Sequence, residues 1–368
     1  MVAILSDGPL LVQAHATAAG QQVVEVILNA PDALNALNGD MVDLLLEHVP
    51  AWEADEDVIA IVMRGTGSKA FCAGGDIRQL YHEINKGNLD IGEKFFNHEY
   101  TMDLMLHRLA TPLIVWGSGY VIGGGMGLLQ GAAIRVGTHS SRLAMPEVTI
   151  GLFPDVGASY FLRQVPDDLG LFLGLTGAML NGTDGRQLGL LDALLDDEDY
   201  QHVMQALQTM PRQSQRNTLE QAKEQIRSLE SKASSDAHAS NLHIHRPSII
   251  EALNKPSLAS IVANLALLKG QDKWLDRAIQ TMEQGSPTSL HLFYRAFNAG
   301  FTNVADALLQ EYIMGVNAAR LGEFKEGVRA LLIDKDRNPN WRYATVEDTP
   351  TAWIDQFFIT DNVAPAHF

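Results

Sequence analysis

Cysteine is almost missing from this chain: Cys72 is the only one in 368 residues. A single thiol excludes an intramolecular disulfide framework and fits a reducing compartment, so the cytoplasm is the expected location. Basic residues are also scarce, 27 against 44 acidic ones, leaving a formal net charge of −17. A field of that sign repels nucleic acid and anionic membrane surfaces, and neither is expected as a partner. Any anionic ligand then needs a local cluster of cations. No apolar run approaches the roughly 18 residues that mark a membrane-spanning helix. The N-terminus has neither the basic start of a secretion signal nor an arginine-rich transit segment, so the mature chain is expected to begin near Met1.

Metal-ligand spacing is thin as well. His243-x-His245 would put both rings on one face of a strand, but no neighbouring cysteine or acidic residue completes a set, so a surface loop and no metal site are expected. Cys72 has no histidine that can be nominated as its base, and a small buried thiol is the expected state.

What remains is a globular composition, 46% hydrophobic and 19% charged, able to bury a sizeable core. Single cores stop growing near about 250–300 residues, so one main domain and an extension are expected. Gln22 to Leu28 reads as a strand that ends at Asn29-Ala30-Pro31. Asn38 or Asp40 is placed to cap a helix carrying Met41, Leu44, Leu45 and Val49 at helical spacing. Val58 to Met63 and Leu113 to Trp116 are buried-strand candidates, Glu93 to Leu109 a helix, and Ile134 to Gly137 and Val148 to Leu152 shorter strands. This alternation predicts α/β layers. After Tyr160 the texture is helical, with a polar stretch from Ser214 to Ser240 and breaks near Gly285-Ser286-Pro287. A core over 1–195 and a helical region over 196–368 are expected.

Strands twice empty into glycines, at Ala73-Gly74-Gly75 and at Gly123-Gly124-Gly125-Met126-Gly127. Two such junctions can aim two backbone N–H groups at one carbonyl oxygen, or they can be tight turns. Gly123-x-Gly125-x-Gly127 lacks the final spacing of a dinucleotide fingerprint, so a nicotinamide site is not expected. Glu147 and Asp155 each follow a proline. Each has an ordinary alternative: Asp155 can cap a helix through Ala158 to Leu162, and Glu147 can be a solvated turn residue.

These stretches resemble the crotonase (enoyl-CoA hydratase/isomerase) superfamily. The residues that carry the resemblance run from Lys69 to Arg78, Gly119 to Gly127, Ala144 to Gly157, and Phe324-Lys325-Glu326-Gly327-Val328-Arg329-Ala330 with Ile333-Asp334-Lys335-Asp336. The resemblance implies an α/β fold with the crotonase-type spiral of strand-strand-helix units and a helical C-terminal region. It also implies an acyl-CoA thioester substrate, no metal or redox cofactor, and a homo-oligomer such as a trimer. By motif position the oxyanion hole falls on the amides of Gly75 and Gly124, the adenine on the loop around Ala73, and the phosphates on Lys69 or Lys335.

Gly127 stands where hydratases of the family carry one of two catalytic glutamates, while Glu147 matches the second. Asp155 and Glu99 match an aspartate and a substrate-contacting glutamate of a thioester-hydrolysing branch. The expectation is hydrolysis of a short branched 3-hydroxyacyl-CoA in valine breakdown, with Glu147 and Asp155 catalytic. Glu147 attacks directly, or the pair activates water. An enoyl-CoA hydratase or isomerase and an acyl-CoA-binding protein without turnover are the alternatives.

Overall fold

The computed structural model describes residues 2–6, 8–88, 90–211, 214–230, 239–361 and 363–368. Its strands are β1 (Val2–Ser6), β2 (Leu10–Ala16), β3 (Gln22–Leu28), β4 (Val58–Gly65), β5 (Ala70–Cys72), β6 (Leu113–Gly117), β7 (Tyr120–Ile122), β8 (Ile134–Thr138), β9 (Arg142–Ala144), β10 (Leu180–Asn181) and β11 (Ala193–Leu195). Seven form a sheet in the order β1-β2-β3-β4-β6-β8-β11, and four form a second in the order β10-β9-β7-β5. From β3 to β11 the large sheet is parallel, and its strands are mostly apolar and buried because both faces are covered, with Glu25, Arg64 and Arg135 as the charged exceptions. β1 and β2 join antiparallel at one edge. β2 alternates buried and partly exposed positions, and its alanines and histidine hide that pattern from a reading by β-propensity.

The contacts divide the chain into two units. One comprises Met1–Gly75, Met105–Leu143 and Leu180–Ser240; the other comprises Asp76–Leu104, Ala144–Met179 and Asn241–Phe368. A single cut after Leu195 is therefore not the division. The helices Tyr200–Gln208 and Gln215–Glu230 return to the large sheet, where Val203, Met204, Leu207, Ala222 and Ile226 share one core with Val62, Ile114, Trp116 and Val136. Part of the polar stretch is thus a helix with one buried face, and residues 231–238 lie outside the described residues.

Two local expectations are corrected. Val148 to Leu152 is not a strand: Glu147–Ile150 is a 3-10 turn closed by Gly151 at φ 68°. Pro146 starts the turn, and its carbonyl accepts both the N–H and the hydroxyl of Thr149, a local alternative to a strand ladder. His243-x-His245 lies in the helix Asn241–Leu253, where positions two apart do not share a face. His245 is buried, stacked on Trp274 with ring centroids 6.0 Å apart and bonded to Asp272.

In the second unit, helices Leu169–Thr176, Lys273–Gln284, Pro287–Asn298 and Val304–Leu321 build most of the core. The break at Gly285-Ser286-Pro287 falls as expected. Ser286 caps the next helix by accepting Ser289 N–H at 3.1 Å, and Pro287 takes a first-turn position that needs no donor.

Candidate active site

In the first unit, parallel pairing of β5 with β7 sets the two strand-to-glycine junctions side by side. A Cβ on Gly74 would lie 3.4 Å from the Ile122 carbonyl and 3.9 Å from the Gly124 nitrogen. A Cβ on Gly125 would sit 2.3 Å from the Cys72 carbonyl, so only glycine permits this approach. The 70–75 loop is pinned from the other side. Asn35 Nδ2 donates to Ala70 O at 2.9 Å, Ala73 N–H to Leu34 O at 3.1 Å and Leu37 N–H to Gly74 O at 2.8 Å. A trans peptide points its C=O and N–H in opposite directions, so Gly75 N–H faces away from Leu37. Gly124 opens the helix Gly124–Gln130, where an N–H has no intrahelical acceptor. Both amides have the character that an oxyanion binder needs.

In the second unit, carboxyls gather where apolar side chains are the rule. The helix Ile91–Arg108 buries a stripe containing Phe96, Glu99, Tyr100 and Asp103, so two acids occupy core positions. Glu147 and Asp155 are 6% and 5% exposed, and Glu311 on the helix Val304–Leu321 is fully buried. Neither ordinary alternative holds for the two expected catalytic residues. Glu147 is not a solvated turn residue, and the helix Ala158–Phe161 has Gly157 at its cap with no side-chain cap bond. Asp155 instead accepts the Tyr100 hydroxyl at 2.7 Å.

Burial raises every one of these acids, and repulsion from neighbouring carboxyls adds to it for Glu99, Asp103, Glu147 and Glu311. Glu147 and Asp103 are pushed well above the usual carboxylate range, while Glu99 is pushed up to about 8. Asp155 reaches only about 6, because Tyr100 and its own backbone N–H stabilise the charged form against burial. Glu311 is pushed up to about 8 by burial, with bonds from Ser159 and Gly157 pulling the other way. Asp155 is therefore the first of the group to ionise. Glu147 Oε2 and both Asp103 oxygens are buried without a hydrogen-bond partner. One ionised and several protonated carboxyls within one core are the setting in which general acid and general base roles separate.

Elsewhere, burial does not produce the same result. Glu25 is pushed up by burial, but bonds from Tyr200, Arg64 and His15 outweigh it and hold the group below its ordinary value. That is a paired structural acid. A cavity of about 420 Å³ lined by His291, Arg295, Asn298 and Ile354 among others holds none of the clustered carboxyls.

The enoyl-CoA hydratase/isomerase family profile matches residues 23–358. The chain belongs to this family. The mitochondrial 3-hydroxyisobutyryl-CoA hydrolase of Xenopus tropicalis is 33% identical to this family member over 338 residues, 90% of this chain and 85% of that protein. Among solved structures, an enoyl-CoA hydratase from Rhodobacter sphaeroides is 28% identical with a TM-score of 0.80, over 95% of this chain and 97% of that one. A carnitinyl-CoA dehydratase from Mycobacterium thermoresistibile is 28% identical with a TM-score of 0.82, over 98% and 99%. The crotonase-type fold expected from the motifs is the fold found.

Within this family member, the structure brings Glu99, Glu147 and Asp155 into one unit and Gly75, Gly124, Ala73 and Lys69 into the other. Ala73 is partly exposed; Lys69 and Lys335 are exposed. Tyr100, Asp103 and Glu311 are site residues that the sequence reading misses. The signal for Asp103 was available, since it lies four positions after Glu99 on the buried stripe of one helix. Glu311 carried no local signal, because the groups it bonds are more than 150 positions away in sequence. Among the described residues no group of three His, Cys, Asp or Glu side chains could hold a metal ion, and no helix is long and apolar enough to cross a membrane.

Proposed function

We propose that this protein hydrolyses the thioester of a short 3-hydroxyacyl-CoA, with 3-hydroxyisobutyryl-CoA from valine breakdown as the substrate. The observation that carries the reading is the buried pair Glu147 and Asp155, which differ in how readily they ionise. The Gly75 and Gly124 amides polarise the thioester oxygen. Asp155 takes a proton from water as the water oxygen bonds to the carbonyl carbon. The C–S bond then breaks, and Glu147 gives its proton to the CoA sulfur. Return of the proton from Asp155 to Glu147 resets the pair.

Glu99 contacts the substrate, the loop at Ala73 the adenine, and Lys69 a phosphate. This order of ionisation favours water attack over direct attack by Glu147, which would have to be charged. No metal or redox cofactor enters, so activity is expected to survive dialysis against a chelator. The reading places the protein in the cytoplasm, from its single buried thiol, and as a trimer, which light scattering tests.

The deciding assay is CoA release from 3-hydroxyisobutyryl-CoA. Glu147→Gln and Asp155→Asn are each expected to lower kcat by roughly 10²–10⁴-fold, and undiminished turnover in both variants would sink the reading. A hydratase would instead consume crotonyl-CoA with loss of its conjugated absorbance; Gly127, at the position of the other hydratase glutamate, predicts that this protein does not. In single turnover with heavy-oxygen water, label in the product acid supports water attack. Label on Glu147 supports the anhydride route.

A further inference from the structure

The segment that carries Asp155 is under backbone strain. Val156 has φ 52° and Gly157 φ 86°, two consecutive left-handed residues of which the first is β-branched. For a β-branched residue this is a true outlier that costs on the order of 1–3 kcal/mol and persists only when the surroundings impose it. One side chain binds the residues that follow Val156. Glu311 Oε2 accepts Gly157 N–H at 2.7 Å, and Glu311 Oε1 accepts Ser159 N–H at 2.9 Å and the Ser159 hydroxyl at 2.6 Å.

The same helix abuts the turn a second time, two turns earlier: a Cβ on Gly157 would lie 3.0 Å from Val304 Cγ2. Three donors converge on the two oxygens of Glu311 and tie the carboxyl to the turn from both ends. A carboxyl group buried among other acids is a costly way to close a turn that a backbone carbonyl could close. Its position, two residues after Asp155, indicates what the cost serves.

We propose that Glu311 is a positioning residue: it clamps the strained Val156–Gly157 turn and so holds Asp155 in the orientation that meets the Tyr100 hydroxyl. This inference rests on the reading of Asp155 as the catalytic base. The groups facing Asp155 are Tyr100, Glu99 and Asp103 on the helix Ile91–Arg108, Glu147 on its turn, and Glu311 itself. Glu311 acts through the Gly157 and Ser159 bonds and not on a reacting atom. Its loss changes where Asp155 points and how readily Asp155 ionises.

The test uses the full chain and CoA release from 3-hydroxyisobutyryl-CoA. Glu311→Gln keeps the shape but cannot accept at both ends, and kcat is expected to fall roughly 10- to 100-fold, the scale of an ångström-level misplacement, with KM little changed. Ser159→Ala removes one donor and leaves the rest, with an expected loss of roughly threefold to tenfold in kcat. In both variants the acidic limb of the kcat/KM profile moves up, and so does the titration of the Asp155 carboxyl carbon followed by NMR.

The double variant Asp155→Asn/Glu311→Gln is expected to be no slower than Asp155→Asn alone. Three results would overturn the clamp: Glu311→Gln turning over within about twofold of wild type, an unmoved Asp155 titration, or a double variant that loses the full product of the two factors. If Glu311→Gln does not fold, Ser159→Ala decides, and an unshifted pH profile there overturns the proposal. Full activity in Asp155→Asn would be a failure of the catalytic reading, while the Asp155 titration would still report on the clamp.

Discussion

Tyr100 donates its hydroxyl to Asp155 at 2.7 Å, and among the clustered acids this bond keeps one carboxyl easier to ionise than its neighbours. Replacing Tyr100 by Phe removes the donor and leaves the ring packing against Phe96 and Phe368. The expected result is a rise of about one pH unit in the acidic limb of kcat/KM from its wild-type position near 6, with a smaller change at high pH. The sign follows from the role: a base must be ionised, so activity falls as pH drops through its pKa, and a higher pKa starts the fall earlier. Glu147 and Asp155 were legible in the sequence because each follows a proline and matches a family position. Tyr100 was not, because a tyrosine on a helical stripe is ordinarily core and nothing local says that its hydroxyl has a carboxylate to meet.

Short β5 and β7 do at the scale of elements what neither could do alone. Each is three residues long, and their pairing is what sets two glycine junctions beside each other. Gly125→Ala places a Cβ 2.3 Å from the Cys72 carbonyl, a backbone atom that has no rotamer to move through. The strands must part, at an expected loss of about 1–3 kcal/mol read from the urea midpoint. CoA release is expected to fall with the misplaced Gly124 amide. Gly151 is the counterpart below Glu147: a Cβ there would meet the Glu323 carbonyl at 2.2 Å. Gly151→Ala is expected to lower stability and to move Glu147 while leaving β5 and β7 intact, which circular dichroism and kcat together resolve. The junctions were readable as strand followed by glycine, but the reason for each glycine is a contact with a distant carbonyl.

For the molecule as a whole, the acid cluster sets a pH dependence of stability. Glu99 and Glu311 at about 8 and Asp155 at about 6 bind protons in the folded state that the unfolded chain has already released. The folded state is the more protonated one above the ordinary carboxylate range. Stability is therefore full below that range and is lost as pH rises through 6 to 8. Groups held low by partners, Glu25 and Asp192, act in the opposite sense only in the acid. Urea midpoints are expected to fall between pH 5 and 8, and Glu99→Gln is expected to flatten that slope. A slope that rises over the same interval would contradict the buried, protonated cluster.

The sequence by itself determined the family, the α/β class, the strands Gln22–Leu28 and Leu113–Gly117, and the glycine and acid positions proposed for the chemistry. Those features are local: runs of apolar residues, a glycine where a strand stops, a proline before an acid. Only the tertiary structure decided that the helices Tyr200–Gln208 and Gln215–Glu230 belong to the core of the large sheet, that Glu147 begins a 3-10 turn, and that Glu311 meets the Asp155 turn. Each of these depends on contacts between segments tens to more than a hundred positions apart. Burial, which raises the acids, is a property of those contacts and not of the residues that carry the charge.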